Sequence, residues 1–113
     1  MIHRPRRLRR TASIRRGISE TRLSPDQLIQ PLFIAEGQGI KDEIKSLPGQ
    51  FRLSVDMAIA FVKEALEFGI HQFILFPVIP EDRKDQWATF SHAANNFYLK
   101  SATEIHRVFG EKV

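Results

Sequence analysis

Apolar positions crowd into a few short stretches. The densest, Phe73 to Pro80 (Phe-Ile-Leu-Phe-Pro-Val-Ile-Pro), is almost unbroken, yet far short of the roughly 20 apolar residues of a membrane helix. Without the alternation of a half-exposed strand, it predicts a strand buried on both faces, as in parallel sheets covered by helices. Leu28 to Ala35 predicts an earlier strand, most apolar at Leu32-Phe33-Ile34-Ala35 and ended by Gly37 and Gly39. Pro31 confines that strand to its own beginning or to an edge. Between Ile40 and Leu53 two short extended pieces flank Pro48-Gly49, a turn dipeptide, and predict a small hairpin.

Helical periodicity is clearest from Val55 to Phe68, where Val55, Ala58, Ile59, Val62, Ala65 and Leu66 recur on one face. Ser54 stands as its N-cap, Asp56 lies in the first turn and Gly69 is the stop signal. A second helix is predicted over about Asn96 to Phe109, burying Leu99, Ala102, Ile105 and Phe109. Glu81 to Asn95, with Trp87 and Phe90, reads as a polar loop. Ser24-Pro25-Asp26-Gln27 predicts a brief helical turn with Gln27 as capping-box partner, which Pro31 prevents from continuing. Strand, Ser54 helix and Phe73 strand then form a β-α-β unit with a right-handed crossover. Two parallel strands leave their faces and edges uncovered, so the pattern reads as the beginning of something larger.

Composition adds an asymmetry hidden in the net charge of +4. Residues 1–22 hold eight arginines (Arg4, Arg6, Arg7, Arg9, Arg10, Arg15, Arg16, Arg22) against Glu20 alone, and few apolar residues (Leu8, Ile14, Ile18). The remainder carries nine basic and twelve acidic residues. The expected organisation is an extended basic arm, 1–22, joined to a mildly acidic body, 23–113. There is no cysteine, which removes disulfides, thiolate metal sites and a cysteine nucleophile and fits a reducing compartment. The N-terminal arginines precede no apolar segment of the secretory type.

Candidate chemistry is sparse. An arginine-rich arm can contact phosphates, but without interleaved aromatics or a recognition fold the favoured reading is an arm docked on a neighbouring subunit, with no nucleic acid and no membrane as partner. His3, His71, His92 and His106 form no ligand-spaced pair. Gly37-Gln38-Gly39 lacks the remainder of any phosphate-binding fingerprint and reads as a strand end. Glu81, Asp82 and Asp85 follow the Phe73 strand, where sheet and barrel enzymes place their chemistry, but Arg83 and Lys84 among them suggest a solvated loop. A Schiff-base lysine needs burial or a cationic neighbour, and Lys41, Lys45, Lys63, Lys84, Lys100 and Lys112 all fall on polar faces or loops. The residues therefore assign no catalytic, cofactor-binding or metal role.

Several short words carry a resemblance. Arg4-Pro5-Arg6-Arg7-Leu8-Arg9-Arg10, Glu20-Thr21-Arg22-Leu23-Ser24, Leu28-Ile29-Gln30-Pro31-Leu32-Phe33-Ile34, Ser46-Leu47-Pro48-Gly49, and Phe76-Pro77-Val78-Ile79-Pro80 with Lys84-Asp85 occur in that order. Together they closely resemble the N-terminal third of the delta-aminolevulinic acid dehydratase (porphobilinogen synthase) family. Two departures stand out: Leu47 where methionine is common, and Ala88 to Asn95 where the family usually shows Gly-x-Glu-Ala-x-Asn.

The resemblance implies an α/β fold, the first two βα units of a TIM (β/α)8 barrel, with an arm that embraces a neighbour in a cytoplasmic homo-octamer. It implies a lyase of heme and porphyrin biosynthesis that condenses two 5-aminolevulinate molecules to porphobilinogen with loss of water. Two Schiff-base lysines on later strands carry that chemistry, and zinc or magnesium assists in many members. A full barrel takes roughly 250 residues, so those lysines and the metal loop are expected beyond Val113. No catalytic residue is carried over. Arg9 alone matches a family position, an arm arginine that reaches a hydrated magnesium between subunits. The expectation is an N-terminal piece of such an enzyme, inactive by itself. Its rival is a free-standing oligomerisation or regulatory module derived from that enzyme.

Overall fold

The computed structural model describes residues 6–113; the start of the arm, with His3 and Arg4, lies outside the described residues. Strands β1 (Ile29–Ile34), β2 (Lys41–Glu43), β3 (Phe51–Leu53) and β4 (Gln72–Pro77) form one sheet in the order β2-β3-β1-β4. The helices are α1 (Ala12–Gly17), α2 (Val55–Glu67), α3 (Thr89–His92) and α4 (Phe97–Phe109). β1 runs parallel to both β3 and β4, and β2 pairs antiparallel with β3. The expected hairpin is therefore part of the main sheet, with Phe33 opposite Arg52 and Ile34 opposite Leu53.

α2 and α4 cover one face of this mixed sheet. Leu32, Ile34, Leu53, Ala58, Val62 and Ile105 make the buried core, with Phe73, Leu75 and Phe97 packed against it. The opposite face has no cover among the described residues. This corrects the reading of β4 as doubly buried: its burial alternates, with Phe73 and Leu75 turned to the core and Ile74 and Phe76 45% and 43% exposed. An apolar run records what a strand can bury, and here helices lie on one side only.

α4 needs a second correction. Leu99 is 43% exposed and Ala102 exposed, whereas Ser101 and Ile105 are buried. The inward row is Phe97, Ser101, Ile105, at intervals of four. Ser101 can lie there because its hydroxyl donates to the Phe97 carbonyl at 2.7 Å. The described arm is not extended throughout. It contains a 3-10 turn at Arg7–Arg9 and the short α1, whose N-cap Thr11 accepts the Ile14 amide at 3.2 Å, all solvent-exposed. Within the expected polar loop lie a 3-10 turn, Glu81–Arg83, and α3.

Ser54 precedes α2 as expected but does not cap it with its side chain. Its buried hydroxyl oxygen accepts the Ile40 amide at 2.9 Å and so pins the β1–β2 connection to the start of α2. Gly37 bends that connection at φ +136, where a side chain would also lie 2.6 Å from the Ile40 Cδ1. Asp56 completes the corner by accepting the Gly39 amide at 3.0 Å. The Ser54 hydroxyl, followed by the amides of Gly39, Asp56 and Met57, holds the Asp56 carboxyl below its ordinary 3.8. A depressed carboxyl contributes stability above its unfolded value and loses it as pH falls through the folded one. Asp56→Asn should therefore melt below the wild type at neutral pH, and the gap should close below about pH 3.8. Thermal melts of both proteins across that range test this, and a gap that is constant with pH refutes it.

Candidate functional site at the ends of β1 and β4

Because β1 and β4 are parallel and in register from Ile29–Gln72 to Ile34–Pro77, their C-terminal ends open on one edge of the sheet. Open α/β sheets and barrels bind their ligands at that edge. Glu36 follows β1, and Pro80 leads from β4 into the Glu81–Arg83 turn. Across the edge the Arg83 Nη1 pairs with the Glu36 Oε2 at 2.6 Å. The same guanidinium lies 5.4 Å from the centre of the Phe90 ring. Neither residue stands out in sequence. They are 47 positions apart, and only the β1–β4 register brings them together.

The three carboxylates after β4 do not form an acid-base pair. Glu81 is bound to Lys84. Asp85 Oδ1 accepts the amides of Trp87 at 2.9 Å and Thr89 at 3.0 Å, bracketing the entry to α3. Its carboxyl is held below 3.8 chiefly by the Thr89 amide and hydroxyl. Asp82 joins no ion pair among the described residues.

All six lysines are exposed, so none has the dry surroundings that turn an ammonium into a nucleophile. His71 meets the Lys112 carbonyl at 3.1 Å, while His92 and His106 lie on α3 and α4. Among the described residues no group of three His, Cys, Asp or Glu side chains could hold a metal ion, so these residues do not fit a zinc or magnesium centre. Arg9 sits in the arm's 3-10 turn, where its carbonyl accepts Arg15 Nη1 at 2.8 Å, and takes part in no ion pair among the described residues.

The second feature is the uncovered face. Ile29, Pro31 and Phe33 of β1 stand in register with Gln72, Ile74 and Phe76 of β4 on the side away from the core. Phe33 and Phe76 stack with centroids 5.6 Å apart and planes 24° from parallel. Arg52 and Asp42 extend the same row onto β3 and β2. The β1–β4 part of this row, Ile29, Pro31, Phe33, Ile74 and Phe76, is an apolar surface continuous with the edge that carries Glu36 and Arg83. No helix among the described residues is long and apolar enough to cross a membrane.

The delta-aminolevulinic acid dehydratase family model matches residues 2–113. The chain is 43% identical over 109 residues to the delta-aminolevulinic acid dehydratase of Chlamydia pneumoniae, covering 96% of this chain and 33% of that protein. It is 43% identical over 105 residues to that of Ruminiclostridium josui, covering 93% of this chain and 50% of the relative. A crystal structure of the dehydratase (porphobilinogen synthase) of Toxoplasma gondii, in complex with the reaction product porphobilinogen, superposes with a TM-score of 0.89 at 31% identity. It covers 98% of this chain and 31% of that one. The chain thus spans from 31% to 50% of the length of these relatives. Overall fold and sequence match these relatives along essentially its whole length, and the chain belongs to the delta-aminolevulinic acid dehydratase family.

Proposed function

We propose that this chain builds the first two βα units of a TIM (β/α)8 barrel in an enzyme that condenses two 5-aminolevulinate molecules to porphobilinogen with loss of water. The observation that carries the reading is the uncovered apolar face of β1 and β4. In a closed barrel that face is the packed interior, filled by layers of side chains from alternate strands. Phe33 and Phe76 would be neighbours in one such layer. The likeness to the product-bound Toxoplasma enzyme supports the substrate class.

The role of these residues in that enzyme is positional. β1 and β4 support the end of the barrel at which substrate binds, and loop 81–95 forms part of its rim. Schiff-base lysines and a zinc or magnesium site belong to other strands. In the same reading residues 1–22 form the arm and 23–113 the partial barrel. The arm docks on a neighbour in a cytoplasmic homo-octamer, with Arg9 reaching the water shell of a hydrated magnesium between subunits that other residues would hold. Exposed arginines beside exposed Leu8, Ile14 and Ile18 favour docking, and equally favour the rival oligomerisation module.

The test is an assay of this polypeptide alone with 5-aminolevulinate. No porphobilinogen should form, because every lysine of the chain is exposed and no three His, Cys, Asp or Glu side chains among the described residues could hold a metal ion. Steady formation of porphobilinogen by this chain would overturn the assignment of the chemistry to other strands.

A further inference from the structure

Loop 81–95 crosses the edge where β1 and β4 end, and it contains the only described non-glycine residue with positive φ, Ala88 at φ 51 and ψ 38. A left-handed alanine is disfavoured and persists where its surroundings over-determine it. Two anchors are local. Asp85 brackets Trp87 and Thr89. Buried Asn96 donates to the carbonyls of Phe90 at 3.3 Å and Ser91 at 3.2 Å, beside the Phe90–Phe97 ring contact at 5.9 Å. The Arg83–Glu36 pair differs in kind: among the polar contacts described for the loop, it alone reaches the β1 side.

We propose that Arg83 is a strap. Its pair with Glu36 holds loop 81–95 closed across the ends of β1 and β4, and its release frees the Arg83–α3 segment as one piece while Asn96 keeps the loop anchored to α4. The half-exposed side chains, 43% and 49%, make this the releasable contact, because exposed ion pairs are weak and screened by salt. The buried Asn96 anchor is neither. Glu36 also lines a cavity of about 180 Å³ with Gly37, Val55, Phe97, Lys100 and Glu104, so release changes the charge at that cavity's rim. The placement of the strap beside a substrate site rests on the function proposed above; the strap itself belongs to this chain and is read without substrate.

Amide hydrogen exchange followed by mass spectrometry, with α2 as internal reference, tests it in the 113-residue chain. Glu36→Gln and Arg83→Gln should each speed exchange in 81–95 roughly fivefold relative to α2, the factor expected for losing one favourable surface pair. The double variant should be no faster than either single one, and the reversed pair, Glu36→Arg with Arg83→Glu, should recover protection. High salt should loosen the loop of the wild type but not of the double variant. Unchanged exchange in the single variants, additive effects in the double one, or an equal rise in α2 would each overturn the strap. An assay result with 5-aminolevulinate bears on the proposed enzyme and leaves this measurement untouched.

Discussion

Ile34→Ala is expected to destabilise the chain by about 2–5 kcal/mol, a large part of the roughly 5–15 kcal/mol that holds an ordinary domain together. Ile34 is fully buried, and it sits where three elements meet. Its β1 position is opposite Leu53 of β3 and Pro77 of β4, and its side chain joins the core with Ala58 and Val62 of α2. The site cannot collapse easily around a smaller residue, because the backbone is pinned on both sides. The Ile34 carbonyl accepts the Val78 amide at 2.7 Å, and the next amide, Ala35, donates to the Leu53 carbonyl at 2.8 Å. The void therefore stays open, and its cost adds to the lost transfer energy. Phe68→Ala is the control, since Phe68 is 70% exposed and its loss should change stability by less than about 0.5 kcal/mol. Urea unfolding followed by far-UV circular dichroism compares the two. Equal midpoints would mean that the β1–α2 junction is not the core of this fold.

Elements with local signals were legible in the sequence. β1, α2 and α4 fall within a residue of the expected positions, because strand runs, caps and glycine stops are written in consecutive residues, and β4 begins one residue earlier and ends three residues earlier than expected. What depended on distant partners was not. Pro48-Gly49 announces a hairpin, but nothing near it says that β3 will lie parallel beside β1. Ser54 marks the start of α2, yet its hydroxyl serves Ile40, fourteen residues earlier. On α4 apolarity misled: Ser101 goes inside because it can bond to its own helix, leaving Leu99 and Ala102 outside. The Glu36–Arg83 pair was out of reach for the same reason, being a product of strand register. The reading of Phe73 to Pro80 as doubly buried and the half-open β4 of the structure are reconciled if the missing cover is the rest of a barrel.

That reconciliation has a consequence that can be measured. Ile74→Thr together with Phe76→Thr is expected to abolish most self-association of the chain while leaving its helix content intact. Threonine, being β-branched, is favoured in strands as Ile and Phe are, so backbone preference changes little. Inside one chain the loss is confined to the Phe33–Phe76 stack, about 0.5–1.5 kcal/mol. Between chains the effect is larger. Hiding a half-exposed Ile or Phe contributes about 1 kcal/mol, and a face-to-face pair loses four of them. That is about 4 kcal/mol, or roughly a thousandfold in Kd. Size-exclusion chromatography with light scattering reads the association, and circular dichroism reads the fold. If the variant associates as strongly as the wild type, the sticky surface is the arm with Leu8, Ile14 and Ile18, and the oligomerisation module gains over the barrel piece. If association collapses and a cooperative melt survives, the β1–β4 face is the surface that seeks a cover. In a closed barrel the same Phe76 substitution would carry the opposite balance: no association to lose, and a cavity in a packed interior costing about 3–5 kcal/mol.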